Sequence, residues 1–308
     1  MASRIKTRSA AVGRAFRTRL RTPPHDIGNE NCVRVRMVID IATAPPTGHS
    51  TNLVGIPTGL LASPGFNAHP LKLAINGVRE TNRALFAMLA DATSVDEAMQ
   101  AFTIYMRTVF ELDEAPRRDA LGRKRYRSSY VRLLRGWGFD ANGKEGAVLK
   151  GWVESRFGLL PTFHKALLGR FPSEAWMTYI EEKMSARFHN NGIHGQLDLL
   201  YEYCQWMHAR WLSPGRHHLT LYRGVNDFEE HQVLAWINRR EAIARQNNLI
   251  SFTDRRDIAD QFGDTILEVD VPISKIVFRN DLLAGSTLKG EGEFLVLGGD
   301  YHVRLAYF

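Results

Sequence analysis

The sequence predicts an α+β protein with a helical N-terminal region and a β-rich C-terminal core. Two observations carry this. Apolar residues recur three and four apart from about Leu71 to Leu212, and beyond Pro214 the texture changes to short alternating runs: "HLTLYRGV", "NLISFTD", "DTILEVDV", "KIVF", "EFLVLGG" and "YHVRLAYF". The division is a basic arm over 1–30, a mainly helical region with a Pro/Gly-rich loop over 31–213, and a β-rich core over 214–308.

Along the chain, "SRIKTRSAAVGRAFRTRLRT" is strongly basic and has no apolar run of the kind a secretory signal carries. "CVRVRMVIDIA" (Cys32 to Ala42) alternates as a strand. From Ile41 to Pro70 no Asp, Glu, Lys or Arg occurs, but five prolines make this a packed loop rather than a membrane span. "LAINGVRETNRALFAMLADA" and "SVDEAMQAFTIYMRTVFEL" then read as helices, with Ser94 and Glu97 spaced for a capping box. "SYVRLLRGWGF" and "SEAWMTYIEEKMSARF" continue the pattern, and "HGQLDLLYEYCQWMHARWL" ends it at Ser213–Gly215.

Composition narrows the class. With 308 residues, 44% hydrophobic and 24% charged, the chain can bury a large core. A net charge of +7 favours an acidic partner or a phosphate-bearing ligand without naming one. The two basic clusters, Ser3–Thr22 and Arg117–Arg135, read as an unstructured arm and a solvated helix face. No aromatic ladder or zinc-finger spacing makes nucleic acid an expected partner, although a basic nucleic-acid-binding module is the alternative of a different class. Cys32 and Cys204 form no disulfide framework, so a reducing, cytoplasmic setting is expected.

Two motif matches fail on chemistry. "GFDANGKE" has P-loop spacing through Lys144, but Glu145 stands where Ser or Thr must reach Mg²⁺, and it reads as a helix-to-helix turn. The eleven histidines show no HExxH, so no metal site is expected.

Three strand-like runs each place a polar group at one end of an apolar face. Arg223 follows Leu219 and Leu221, Ser251 and Thr253 follow Leu249, and Glu293 precedes Leu295 and Leu297. Glu291 and Glu293 are separated only by Gly292. On an extended chain their carboxylates would share a face roughly 7 Å apart, a repulsion that a cation between them would relieve.

"LYRGV", "ISFT" with "DIADQFG", and "GEGEFLVLGG" resemble, in order and spacing, the arginine, serine and glutamate signature of mono-ADP-ribosyltransferases. The Glu-x-Glu ending resembles the arginine-modifying branch. "NLVGIPTGLLASPGFNAHPLKLAINGVRETNR" resembles the subgroup of dinitrogenase reductase ADP-ribosyltransferases, which switch off nitrogenase. The resemblance implies NAD as substrate and 214–308 as an NAD-binding catalytic core of two packed sheets. It also implies dinitrogenase reductase as target, a PII-type signalling protein as regulator, and no metal.

Carried over residue by residue, the resemblance gives Arg223 the NAD diphosphate. Ser251 takes the nicotinamide-side ribose and orients the catalytic carboxylate, and Thr253 braces the strand. Glu293 takes the ribose 2′-hydroxyl and the oxocarbenium-like centre, Glu291 the target arginine, and Phe262 stacks at the nicotinamide end. An NAD glycohydrolase, or a transferase with another acceptor, is the alternative within the fold.

Overall fold

The computed structural model describes residues 48–112, 129–184, 191–226, 228, 232–283 and 292–307, without the side chains of residues 191 and 307. All lie in one compact unit, Pro45–Phe308. The basic arm over 1–30 and the strand expected at Cys32–Ala42 lie outside the described residues, as do most of the Arg117–Arg135 cluster and Glu291.

The architecture is α+β. Two one-turn helices, α1 (Thr58–Ala62) and α2 (Pro64–Ala68), interrupt the Pro/Gly-rich loop. Ser63 caps α2 by accepting from the Phe66 N–H, with Pro64 at the first helical position, where its missing N–H costs nothing. The helix expected from Leu71 starts later and in two pieces, α3 (Val78–Thr81) and α4 (Arg83–Asp91). Gly77 at φ +82° makes the turn that delays it.

Helix α5 (Val95–Val109) begins at the expected cap. Ser94 Oγ accepts from the Glu97 N–H at 3.2 Å, while the Glu97 carboxylate reaches one residue further back than a capping box requires, to the Thr93 N–H at 2.7 Å. Helix α6 (Tyr130–Phe139) buries Tyr130, Leu133, Leu134 and Trp137, a stripe at 3–4 spacing. The turn Asp140–Gly143 joins it to α7 (Lys144–Phe157), so the P-loop-like stretch is the helix-to-helix connection.

After the small hairpin β1 (Phe163–His164) and β2 (Ala166–Leu167) come α8 (Glu174–Lys183) and α9 (Asn191–Met207). A π-helical turn, His208–Leu212, ends α9. Arg156 on α7 grips Asp198 on α9 with two bonds, 2.7 and 2.9 Å, and Trp152 Nε1 adds a third at 2.7 Å. No described helix is long and apolar enough to cross a membrane.

The C-terminal region forms one antiparallel hydrogen-bonded network of six strands: β3 (His218–Val225), β4 (Gln232–Asn238), β5 (Glu241–Thr253), β6 (Thr265–Pro272), β7 (Ile276–Arg279) and β8 (Glu293–Tyr307). The two expected sheets are thus halves of one network, because β5 and β8 are long enough to belong to both. Around the N-terminal half of β5, the C-terminal half of β8 pairs with β5 and β6, β6 with β3, and β4 with β5. Around its C-terminal half, β5 pairs with β8, β8 with β7, and the end of β3 with β5 through Tyr222 and Thr253.

The halves meet at a bulge between Gln246 and Leu249. There Gly298 packs so closely on β5 that a Cβ would lie 1.8 Å from the Asn247 carbonyl oxygen, and Gly299 adopts φ +116° against Ala62. "EFLVLGG" and "YHVRLAYF" are therefore one strand.

Helices and sheet share a continuous apolar core from Val54 to Leu305. Tyr201, Tyr203 and Gln205 of α9 hydrogen-bond main-chain oxygens between Ile273 and Leu282. Asn248 on β5 bonds the carbonyls of Lys150 and Leu159.

Candidate functional site

Register places the site. Leu249 pairs with Leu297, Ser251 with Leu295 and Thr253 with Glu293, so the polar residues of both strands share one face with the leucines behind them. Ser251 Oγ donates to Glu293 Oε1 at 2.6 Å.

Strand β3 meets this pair at its end. Arg223 Nη1 donates to the Ser251 main-chain oxygen at 2.9 Å, and its other N–H groups have no partner among the described residues. Burial lowers the Arg223 pKa and the Glu293 charge pulls it back; the guanidinium stays protonated in either case. A half-buried cation beside a carboxylate, each with hydrogen-bonding capacity left unused among the described residues, fits a dinucleotide, whose diphosphate and ribose need those partners.

Thr253 is buried and accepts from the Arg255 N–H at 3.1 Å, which fixes the chain as it leaves β5. The following helix α10 (Arg256–Ala259) and the 3₁₀ turn Asp260–Phe262 are seated on β3 through two glycines. A Cβ on Gly224 would lie 2.0 Å from the Ala259 oxygen, and one on Gly263 would lie 2.3 Å from the Val225 backbone. Phe262 at the end of this turn is 68% exposed, an apolar ring facing solvent rather than a core aromatic.

Gly292 has φ +67° and lies outside β8, which starts at Glu293. At this φ the chain turns as it enters β8. Glycine belongs there because an added Cβ would sit 2.6 Å from Asp254 Oδ1. Glu291 lies outside the described residues.

The structure thus brings Arg223, Ser251 and Glu293 into one hydrogen-bonded set, with Thr253 beside them and Phe262 on the turn that follows. It also adds a residue that the sequence did not single out. Trp137 of α6 donates its indole N–H to Ser251 Oγ at 2.8 Å. In the sequence Trp137 is the fourth member of an apolar helical stripe, and nothing in that pattern points to a serine on a distant strand.

Residues 51–305 match the family described as dinitrogenase reductase ADP-ribosyltransferase. The chain is 58% identical over 267 residues, 85% of this chain and 97% of the other, to the NAD(+)--dinitrogen-reductase ADP-D-ribosyltransferase of Rhodospirillum rubrum. No solved structure shows a significant match. A match over nearly the whole described chain, together with a close full-length relative, shows that this chain belongs to the dinitrogenase reductase ADP-ribosyltransferase family.

Proposed function

We propose that the protein transfers ADP-ribose from NAD to an arginine side chain of dinitrogenase reductase, lowering nitrogen fixation. The observation that carries the reading is the Arg223–Ser251–Glu293 set, in which a guanidinium and a carboxyl group are joined through one serine.

Arg223 holds the diphosphate with the N–H groups that Ser251 leaves free. Glu293 accepts from the ribose 2′-hydroxyl and stabilises the positive charge that grows at C1′ as the bond to nicotinamide breaks and nicotinamide departs with its electron pair. Ser251 keeps that carboxylate in place. Phe262 stacks at the nicotinamide end, and Thr253 braces the strand.

Glu291 orients the acceptor guanidinium and takes its proton as nitrogen bonds to C1′, since a guanidinium cannot attack while fully protonated. No metal takes part in this scheme. The basic segment around Arg117–Arg135 docks an acidic protein surface, and a PII-type protein regulates the enzyme in the cytoplasm.

The test is nicotinamide release from NAD by the purified protein, with and without dinitrogenase reductase, for wild type, Glu293→Gln and Glu291→Gln. The proposal expects Glu293→Gln to abolish release and Glu291→Gln to lose transfer while retaining slow hydrolysis. A wild-type protein that neither cleaves nor binds NAD, or Glu293→Gln with unchanged turnover, overturns it. Reversing charge at Arg123, Lys124 and Arg125 is expected to weaken modification of the target protein but not hydrolysis; unchanged modification removes the docking role.

A further inference from the structure

We propose that Trp137 is a positioning residue for the transfer reaction: its indole N–H fixes the Ser251 hydroxyl so that the hydroxyl proton points at Glu293. This rests on the roles given above to Ser251 and Glu293.

The argument is one of donors and acceptors. An indole N–H can only donate, an ionised carboxylate can only accept, and a serine hydroxyl can do both. Trp137 Nε1 lies 2.8 Å from Ser251 Oγ, and Oγ lies 2.6 Å from Glu293 Oε1. The direction of the chain is therefore set: Trp137 gives to Ser251, and Ser251 gives to Glu293.

A hydroxyl engaged only by Glu293 would be free to rotate to another acceptor. With one lone pair occupied from the side of α6, its proton is left facing the carboxylate. Ser251 is held at its main chain too, where Arg223 donates to its carbonyl oxygen at 2.9 Å. Two elements from different parts of the chain thus grip one residue.

Trp137 is itself held. It is 4% exposed and shares its face of α6 with buried Tyr130, Leu133 and Leu134. The Lys150 ammonium lies 6.0 Å from the ring centroid and is tied to Asn142 Oδ1 and the Phe163 oxygen, each at 3.0 Å. Gly136 packs closely on α7, where an added Cβ would sit 2.4 Å from the Glu145 side chain. The helical region therefore supplies a component of the site as well as a support for the sheet.

The bland alternative is that Trp137 is a core aromatic whose N–H has found a convenient acceptor. A double-mutant cycle on the full chain separates the two. Turnover and KM for NAD are measured by nicotinamide release for wild type, Trp137→Phe, Ser251→Ala and the double variant, with thermal unfolding as the folding control.

Loss of one orienting hydrogen bond is expected to lower kcat about tenfold in Trp137→Phe with KM within about twofold. In the Ser251→Ala background the same change should have less than about a twofold effect, because the pathway through the hydroxyl has already gone. Equal losses in both backgrounds, a change confined to KM, or a rise in kcat overturns the proposal.

Should Trp137→Phe fail to fold, benzothienylalanine at position 137 replaces N–H by sulfur at nearly constant ring size, and the same cycle is read with it. Unchanged turnover in Glu293→Gln would instead overturn the reading of the site itself, an outcome distinct from equal losses at Trp137.

Discussion

Lys275 offers a quantitative test of how the sheet is held. It lies in the turn Ile273–Lys275 between β6 and β7, has no exposed surface, and donates to the Gly298 carbonyl oxygen at 3.1 Å. The Tyr301 and Phe66 rings lie 4.9 and 5.4 Å from its nitrogen. Burial lowers its pKa from 10.5 to about 7, with Asp300 opposing the fall.

The sign follows from the proton count. Between about pH 7 and 10.5 the unfolded chain keeps the Lys275 proton while the folded chain releases it, so stability rises with pH across that window and is lost as pH falls toward 7. At 1.36 kcal/mol per tenfold change, the full window is worth on the order of 5 kcal/mol, and one pH unit within it at most about 1.4 kcal/mol.

Lys275→Met keeps the length and gives the two rings a thioether contact. Equilibrium urea unfolding of both proteins between pH 7.5 and 9.5 is expected to show wild-type stability rising relative to the variant by about 2 kcal/mol. Parallel stability curves would refute the reasoning, since they would mean that Lys275 binds its proton equally in both states.

Other predictions concern the site and its frame. Arg223→Lys keeps the charge but loses the planar fork, and is expected to raise KM for NAD by roughly tenfold or more, read from initial rates of nicotinamide release. Gly298→Ala forces a methyl into the Asn247 carbonyl oxygen and is expected to lower stability by about 3 kcal/mol in urea unfolding. Arg79→Ala leaves Glu202, which is fully buried and otherwise held by the Ile75 N–H, without its charged partner; a loss of about 3 kcal/mol and a lower Tm are expected.

The signature strands were legible because each carries period-two alternation with a polar end. β3 and β6 fall close to where the runs in the sequence place them. β4 was not, because bulges at Val233/Ala235 and Trp236/Asn238 break the period and Leu234, Trp236 and Ile237 remain exposed on this edge strand. Helix α7 lacks an amphipathic stripe: Gly146 through Val153 are all buried, so no polar face marks its period. Gly298 and Gly299 read as the end of a strand, since a bulge needing glycine looks the same in sequence as a turn. Trp137 was hidden for a different reason, that its role depends on a contact made across the fold.

The pairing of β5 with β8 also has a kinetic consequence. It joins residues as far apart as Glu241 and Arg304, while Ser251 takes one partner from the helical region and another from the start of β8. Such distant contacts close large loops and form slowly. During refolding, helical signal should therefore return before the ability to cleave NAD, and a fragment lacking either α6 or β8 should contain no working site.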